Sequence, residues 1–263
     1  MPKVFDSAIA DISAALRMKR VWLALASEDI SDQHRRTSLG PLWLLINYLA
    51  FALTFIFVLG RGEHVSNYPA YVAVGLLVWF YIMEVISQSV MLFVREESFI
   101  KGTTLPLSVY VMRLAAQSLI RAGYAALGCL LILFVSGVGI SPAWGWSALG
   151  IAIVMLTAPA AIILCAFLGA YFPDSQYIIS NLMRIGMFLT PVFWAHTGND
   201  GGVRALFYYW NPFTYFLEIV RVPILSGDVP MRSLLLCAVI SLCAWIIALG
   251  VLGRYRKEVV FVL

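Results

Sequence analysis

The chain has 263 residues, 62% of them apolar and 12% charged, with 18 Lys and Arg against 14 Asp and Glu. Soluble domains average roughly 45–50% apolar and about 25% charged residues, so a water-soluble globular protein is excluded. The net charge of +4 is dispersed over many short segments, which argues against a nucleic-acid footprint and for membrane topology.

The first 40 residues carry Lys3, Asp6, Asp11, Arg17, Lys19, Arg20, Glu28, Asp29, Asp32, Arg35 and Arg36, which interrupt any apolar core of a signal peptide. We therefore expect residues 1–41 to be a retained cytoplasmic leader and residues 42–263 a transmembrane domain. Within the leader Phe5, Ile9, Ile12, Leu16 and Leu23 recur at helical spacing, as in an amphipathic helix lying in the membrane interface. Anchoring alone explains such a helix; so does a brace that also touches a cytoplasmic partner. Gly40-Pro41 breaks the helix before Trp43, which sits at interface height.

Roughly 20 apolar residues in a helix cover the ~30 Å hydrocarbon layer. Six runs meet that length: 42–60, 70–93, 114–135, 146–169, 177–194 and 231–252. They are continuously apolar, unlike the alternating strands of a barrel, so the fold class is all-α with six membrane spans. Cys129, Cys165, Cys237 and Cys243 all fall inside these runs and lack disulfide or zinc spacing. The leader, the 94–113 connection and the tail hold twelve Lys and Arg, whereas the alternate connections hold three, Arg61, Arg204 and Arg221. The positive-inside rule then places both termini in the cytoplasm.

Between spans two and three, Arg95, Glu96, Glu97 and Lys101 mix with Phe99 and Ile100. That pattern suits either a solvated loop or a short helix docking on a soluble partner. Residues 171–175 form a tighter cytoplasmic turn. The long connection of residues 195–230 opens on a flexible turn, Thr197 to Gly202, and continues with two apolar runs, Val203–Trp210 and Phe213–Leu225, split by Asn211-Pro212. Each is too short to span, and we expect two short re-entrant outer helices.

Charges within the spans are costly, about 2.5–3.5 kcal/mol each at mid-bilayer. Glu84 and Arg121 reach similar depths in spans two and three, which predicts an ion pair or a shared polar contact, structural or along a transport path. Arg184 in span five is either a pore contact or a side chain snorkelling to the headgroups. Glu218 and Arg221, three apart, share one helical face, as an intrahelical pair or as a polar ring at an outer mouth. Trp194, Phe207, Tyr208, Tyr209, Trp210, Phe213, Tyr215 and Phe216 crowd the outer segment, suited to an interfacial belt or to packing against sugar rings.

Catalytic signatures are missing from the sequence. There is no G-x-x-x-x-G-K-[ST] phosphate loop, no G-x-S-x-G elbow and no H-E-x-x-H helix, and His34, His64 and His196 fall in separate extramembrane regions.

Three segments carry a resemblance: Arg36-Thr37-Ser38-Leu39-Gly40-Pro41-Leu42-Trp43, Pro191-Val192-Phe193-Trp194, and Asn211-Pro212-Phe213 followed by Glu218-Ile219-Val220-Arg221. In that order, with six spans, the chain resembles the membrane subunit of a bacterial type-two ABC exporter, in the branch that moves O-antigen, capsule and teichoic-acid chains. The resemblance implies a homodimer of this chain, two separate ATPase subunits that carry the ATP and magnesium, and a lipid-linked glycan substrate crossing the bacterial inner membrane. No catalytic, cofactor or metal residue is implied on this chain.

By position the leader would be the interface helix, residues 94–107 the coupling helix, and residues 203–226 the outer helices. Arg35, Arg36, Arg95, Glu96, Glu97, Phe99 and Lys101 would meet the ATPase. Tyr48, Phe51, Phe55, Phe57, Phe188 and Trp194, with Tyr208, Tyr209, Trp210 and Tyr215, would line the substrate path. Glu84, Arg121, Arg184, Glu218 and Arg221 would be its polar gates. A type-two exporter of drugs or lipids would share this architecture. An ion-coupled secondary transporter would instead need coupling residues near midplane, for which Glu84 is the main candidate.

Overall fold

The computed structural model describes residues 2–60, 65, 67–196 and 202–263, so the predictions at Arg61, His64 and the 197–201 turn lie outside the described residues. Within them the secondary structure is helical, as expected for an all-α chain. In order the helices are α1 (Pro2–Arg17), α2 (Lys19–His34), α3 (Leu42–Leu59), α4 (Tyr68–Ser89), α5 (Leu92–Arg95), α6 (Glu97–Gly102) and α7 (Leu107–Val135). They continue with α8 (Trp144–Tyr171), α9 (Ser175–Leu189), α10 (Val203–Trp210), α11 (Pro212–Leu225), α12 (Met231–Tyr255) and α13 (Val259–Val262).

Five of these, α3, α4, α7, α8 and α12, are long and apolar enough to cross a membrane. The predicted fifth span is shorter than the sequence suggests: α9 has 15 residues, about 22 Å at ~1.5 Å per residue against a ~30 Å layer. Its cause is local. The ring of Pro191 disfavours helical backbone at the residue before it, and Thr190 accordingly turns extended at φ −82°, ψ 143°. The chain continues through residues 190–196 without regular structure.

The helices pack around α4, which touches α3, α7, α8, α9 and α11. Two caps start elements at one end of the bundle. The Asn67 side chain accepts from the Ala70 amide, and the Asn211 side chain accepts from the Phe213 amide, with Pro69 and Pro212 in the respective first turns supplying helical φ without needing a donor. We call this the far end. At the opposite, near end, α1 and α2 lie across the starts of α7 and the end of α12.

The leader differs from the expected single helix by breaking at Met18. In α1 the residues buried against the bundle are Ala8, Asp11 and Ala15, while Ile9 and Leu16 of the predicted stripe face outward and Leu23 is exposed on α2. The stripe is therefore split: Ile9 and Leu16 are free to meet lipid, Ile12 packs against the core, and small residues on the buried face let α1 approach the protein closely. Of the two outer segments, α11 is embedded among α4, α8 and α12, with Leu217, Ile219 and Val220 fully buried, whereas α10 buries no residue.

Candidate translocation groove and its polar clusters

Helices α3 and α9 flank α4, and the space between them is an open groove of about 1420 Å³. Its wall changes character along its length. At the near end it is polar, with Asp29, Gln33, Glu96, Arg113, Gln117 and Arg121; toward the far end it is apolar, with Phe51, Leu77, Phe80, Met187 and Phe188. On α9 the residues facing the groove are Gln176, Ser180, Arg184, Met187 and Phe188, which recur at helical-turn spacing and grade from polar to apolar.

The near-end charges are held in two clusters. Arg113 donates from Nε and Nη2 to the two carboxylate oxygens of Asp29 at 2.6 and 2.7 Å, a bidentate fork, and from Nη1 to Glu96 Oε2 at 2.9 Å. Gln117 also donates to Asp29. One guanidinium thus joins α2, α7 and the α5–α6 junction. In the second cluster Arg121 donates to Glu84, as the matched depths predict, and from Nη2 to Gln33 Oε1 at 2.9 Å; Ser118 donates to the same carboxylate at 3.3 Å. A third tie binds α1: Asp11 accepts from the Ser108 amide at 3.0 Å and hydroxyl at 2.7 Å, and Arg256 donates to the Ser7 carbonyl at 2.8 Å.

Arginine at 84 should set two cations against each other in this groove, lowering the yield of monodisperse detergent-purified protein several-fold. The exchanged pair E84R/R121E should recover most of it, because a partly buried ion is tolerated when matched. Equal yields for the single and exchanged variants in size-exclusion chromatography would contradict the pairing.

At the far end the non-helical stretch after α9 has its backbone satisfied by side chains, as lipid-depth backbone requires. The Tyr68 hydroxyl donates to the Phe193 carbonyl at 3.0 Å, the Tyr71 hydroxyl lies 2.9 Å from the Trp194 carbonyl and 3.2 Å from that of Pro191, and Asn211 donates to Thr190 Oγ1 at 2.7 Å. Arg221 donates from Nη1 to the Pro191 carbonyl at 2.7 Å and from Nη2 to the Val192 carbonyl at 3.4 Å, with its guanidinium carbon 3.8 Å from the centre of the Tyr71 ring. Held this way, Phe193 stacks on Phe55 of α3 at 3.9 Å, and Phe188 closes a trio with them at 6.4 and 6.0 Å.

These contacts correct several expectations. Arg221 is only 5% exposed and turns to carbonyls, while Glu218 takes the hydroxyls of Tyr208 and Ser233; the two do not form an ion pair or an outer-mouth ring. Glu96, at 7% exposure, is committed to Arg113 and is not available for docking. Arg35, Arg36 and Phe99 are exposed, Lys101 pairs with Glu97 at 2.7 Å, and Arg95 reaches Gln88 at 3.4 Å, so these six keep a surface position near α6 and the end of α2.

Among the predicted lining rings, Phe51 and Phe188 face the groove. Tyr48 touches its wall but is 2% exposed, its hydroxyl donating to the Ala73 carbonyl at 2.7 Å, which makes it a packing residue. Phe57, 77% exposed, lies outside. Trp194, Tyr208, Tyr209, Trp210 and Tyr215 do not reach the groove. At the far end Trp194 donates to the Phe188 carbonyl, Tyr215 to the Tyr209 carbonyl, and His196 lies over Tyr208, while Trp210 is 82% exposed. Sequence reasoning missed Asp29, Arg113 and Gln117; the carboxylates flanking the second connection were the only signal.

The described helices thus form a bundle with a lateral groove, charged at one end and aromatic at the other. The model of the ABC-2 type transporter family matches residues 20–225, and the chain belongs to that family. It is a multi-pass membrane permease subunit, and membership implies association with an ATPase subunit. Its relatives include the O-antigen export system permease protein RfbA of Klebsiella pneumoniae, 27% identical over 177 residues, which cover 66% of this chain and 68% of that protein. The protein of the same name from Myxococcus xanthus is 23% identical over 242 residues, covering 90% of this chain and 92% of the relative.

Proposed function

We propose that two copies of this chain form the channel of an ATP-driven exporter that moves a lipid-linked polysaccharide, of O-antigen or capsular type, across the bacterial inner membrane. The observation that carries the reading is the groove. Its ~1420 Å³ exceeds the roughly 300–1,000 Å³ of a small-molecule pocket, and it is open along one side, as a path completed by a second copy would be. Rings at Phe51, Phe80 and Phe188 offer flat apolar faces suited to sugars without fixing them, which processive movement needs.

In this reading both termini are cytoplasmic, α9 with the segment after it completes a sixth crossing, and α10 and α11 re-enter from the outside. Two ATPase subunits carrying ATP and magnesium dock on α6 and the end of α2 through Phe99, Arg35 and Arg36. Their closure moves α6 and α2, α3 parts from α9, and the lipid-linked glycan enters. The names of the RfbA relatives support the glycan. An ion-coupled transporter is disfavoured because Glu84, its main coupling candidate, is already neutralised by Arg121.

Affinity purification of the tagged chain should bring down an ATPase subunit in equal amount, and deleting either gene should leave the glycan inside the cell. Transport driven by an ion gradient with no ATPase bound would refute the proposal. ATP-driven transport with surface glycan unchanged would retain an ABC exporter and shift its substrate to a lipid or drug.

A further inference from the structure

The hold on residues 190–194 contains one charged group. A guanidinium buried at membrane depth is costly to desolvate, and a hydrocarbon side chain of similar volume would pack there at less expense. What the cation adds is geometry. Nη1 and Nη2 meet two successive carbonyls, those of Pro191 and Val192, so both peptide planes face one side and the direction of the next side chain, Phe193, is set.

Phe193 is the ring stacked on Phe55, and through it α9 is joined to α3 across the far end of the groove. Helix α4 is shaped to admit this cation. A Cβ on Gly75 would lie 1.9 Å from Arg221 Nη2 and 3.2 Å from the Val192 carbonyl oxygen, so no side chain at position 75 coexists with the present guanidinium. Tyr71, one turn earlier on the same face, covers the cation with its ring and hydrogen-bonds the flanking carbonyls of Pro191 and Trp194.

We propose that Arg221, seated in the notch at Gly75, is a positioning residue for export: it holds the 191–193 backbone so that Phe193 seals the far end of the groove against Phe55, and the outlet opens when this hold is released. The proposal rests on the reading of the groove as the transport path. It predicts that two chemically opposite changes, loss of the cation in R221A and retention of the cation without its seat in G75A, have the same consequence.

The test uses the complete exporter in cells, with the four native cysteines replaced by alanine and Phe51→Cys as a reporter. Phe51 lines the groove one turn to the near side of Phe55. A membrane-impermeant maleimide added outside should label this cysteine slowly when ATP turnover is blocked. R221A and G75A should each raise the rate per assembled complex by about tenfold, the factor that ~1.4 kcal/mol of closure supplies. R221K, which keeps one donor group but not the fork, should fall between. Labelling at the parental rate in both variants overturns the proposal. So does a loss of assembled complex with the rate per complex unchanged, since Arg221 would then serve folding alone. If labelling of the parental reporter is the same with and without ATP turnover, the transport-path reading itself fails.

Discussion

Replacing Arg113 with methionine should destabilise the protein by about 3 kcal/mol and uncouple ATP hydrolysis from export. Methionine fills similar space but leaves Asp29 and Glu96 facing each other with no cation between them. Removing one partner of a buried pair costs about 3–5 kcal/mol, and the lower end applies because the Arg113 and Asp29 side chains keep 17% and 25% of their exposure. The functional loss follows from connectivity. Arg113 binds α2, α7 and the α5–α6 junction through one guanidinium, so its loss should weaken transmission of a push on α6 to α2. R113K keeps the charge and loses the bidentate fork, and should lie between methionine and wild type. Thermal unfolding of the purified complex reads the first effect, with a midpoint several degrees lower; on the proposed function, the ratio of glycan exported to ATP hydrolysed reads the second. A methionine variant with an unchanged midpoint and ratio would remove Arg113 from the coupling path.

G169A should be as damaging although it adds a single methyl group. Gly169 in α8 lies against the turn after α4, where a Cβ would stand 1.7 Å from the Val90 carbonyl oxygen and 2.6 Å from its carbon. Both are backbone atoms, so the clash is relieved only by moving α8 away from the α4–α5 turn. Overpacking in a filled interior costs about 1–3 kcal/mol when side chains can adjust, and the upper end or more is expected here. G123A in α7 provides the comparison, because nothing lies within 4 Å of its Cβ position. There alanine should change stability by less than about 1 kcal/mol, the size of its helix-propensity gain. Melting both variants beside the wild type checks the pair, and equal midpoints would mean that α8 is not packed on Val90.

The long apolar runs were legible because a helix that meets lipid all round needs no periodic pattern. The ends were less so. Charge was read as a boundary, yet α7 begins at Leu107, seven residues before the expected start, and takes Arg113 into the helix because Asp29 and Glu96 match it. The break after α9 was written in Pro191 but masked by the apolar residues around it, which extend the hydropathy signal past the end of the helix. Glu84 and Arg121 were found because each is a lone charge at matching depth. Asp29 and Arg113 were not, since 84 positions separate them and each resembles an ordinary solvated charge beside a helix end. For Arg221 the spacing along one helix points to Glu218, whereas the carbonyls of a distant segment decide its partner.

The ties at α1 bear on how the protein is made. Asp11 finds Ser108 across 97 positions, but Ser7 meets Arg256 only across 249. At roughly 5–20 residues per second, a ribosome needs about 12–50 s to bridge that second interval. Until then α1 has only its packing on α7 and the bonds of Asp11 to Ser108 to hold it to the bundle. Insertion of α12 then delivers the last partner, so the docking of α1 is complete only after every intervening helix has been made.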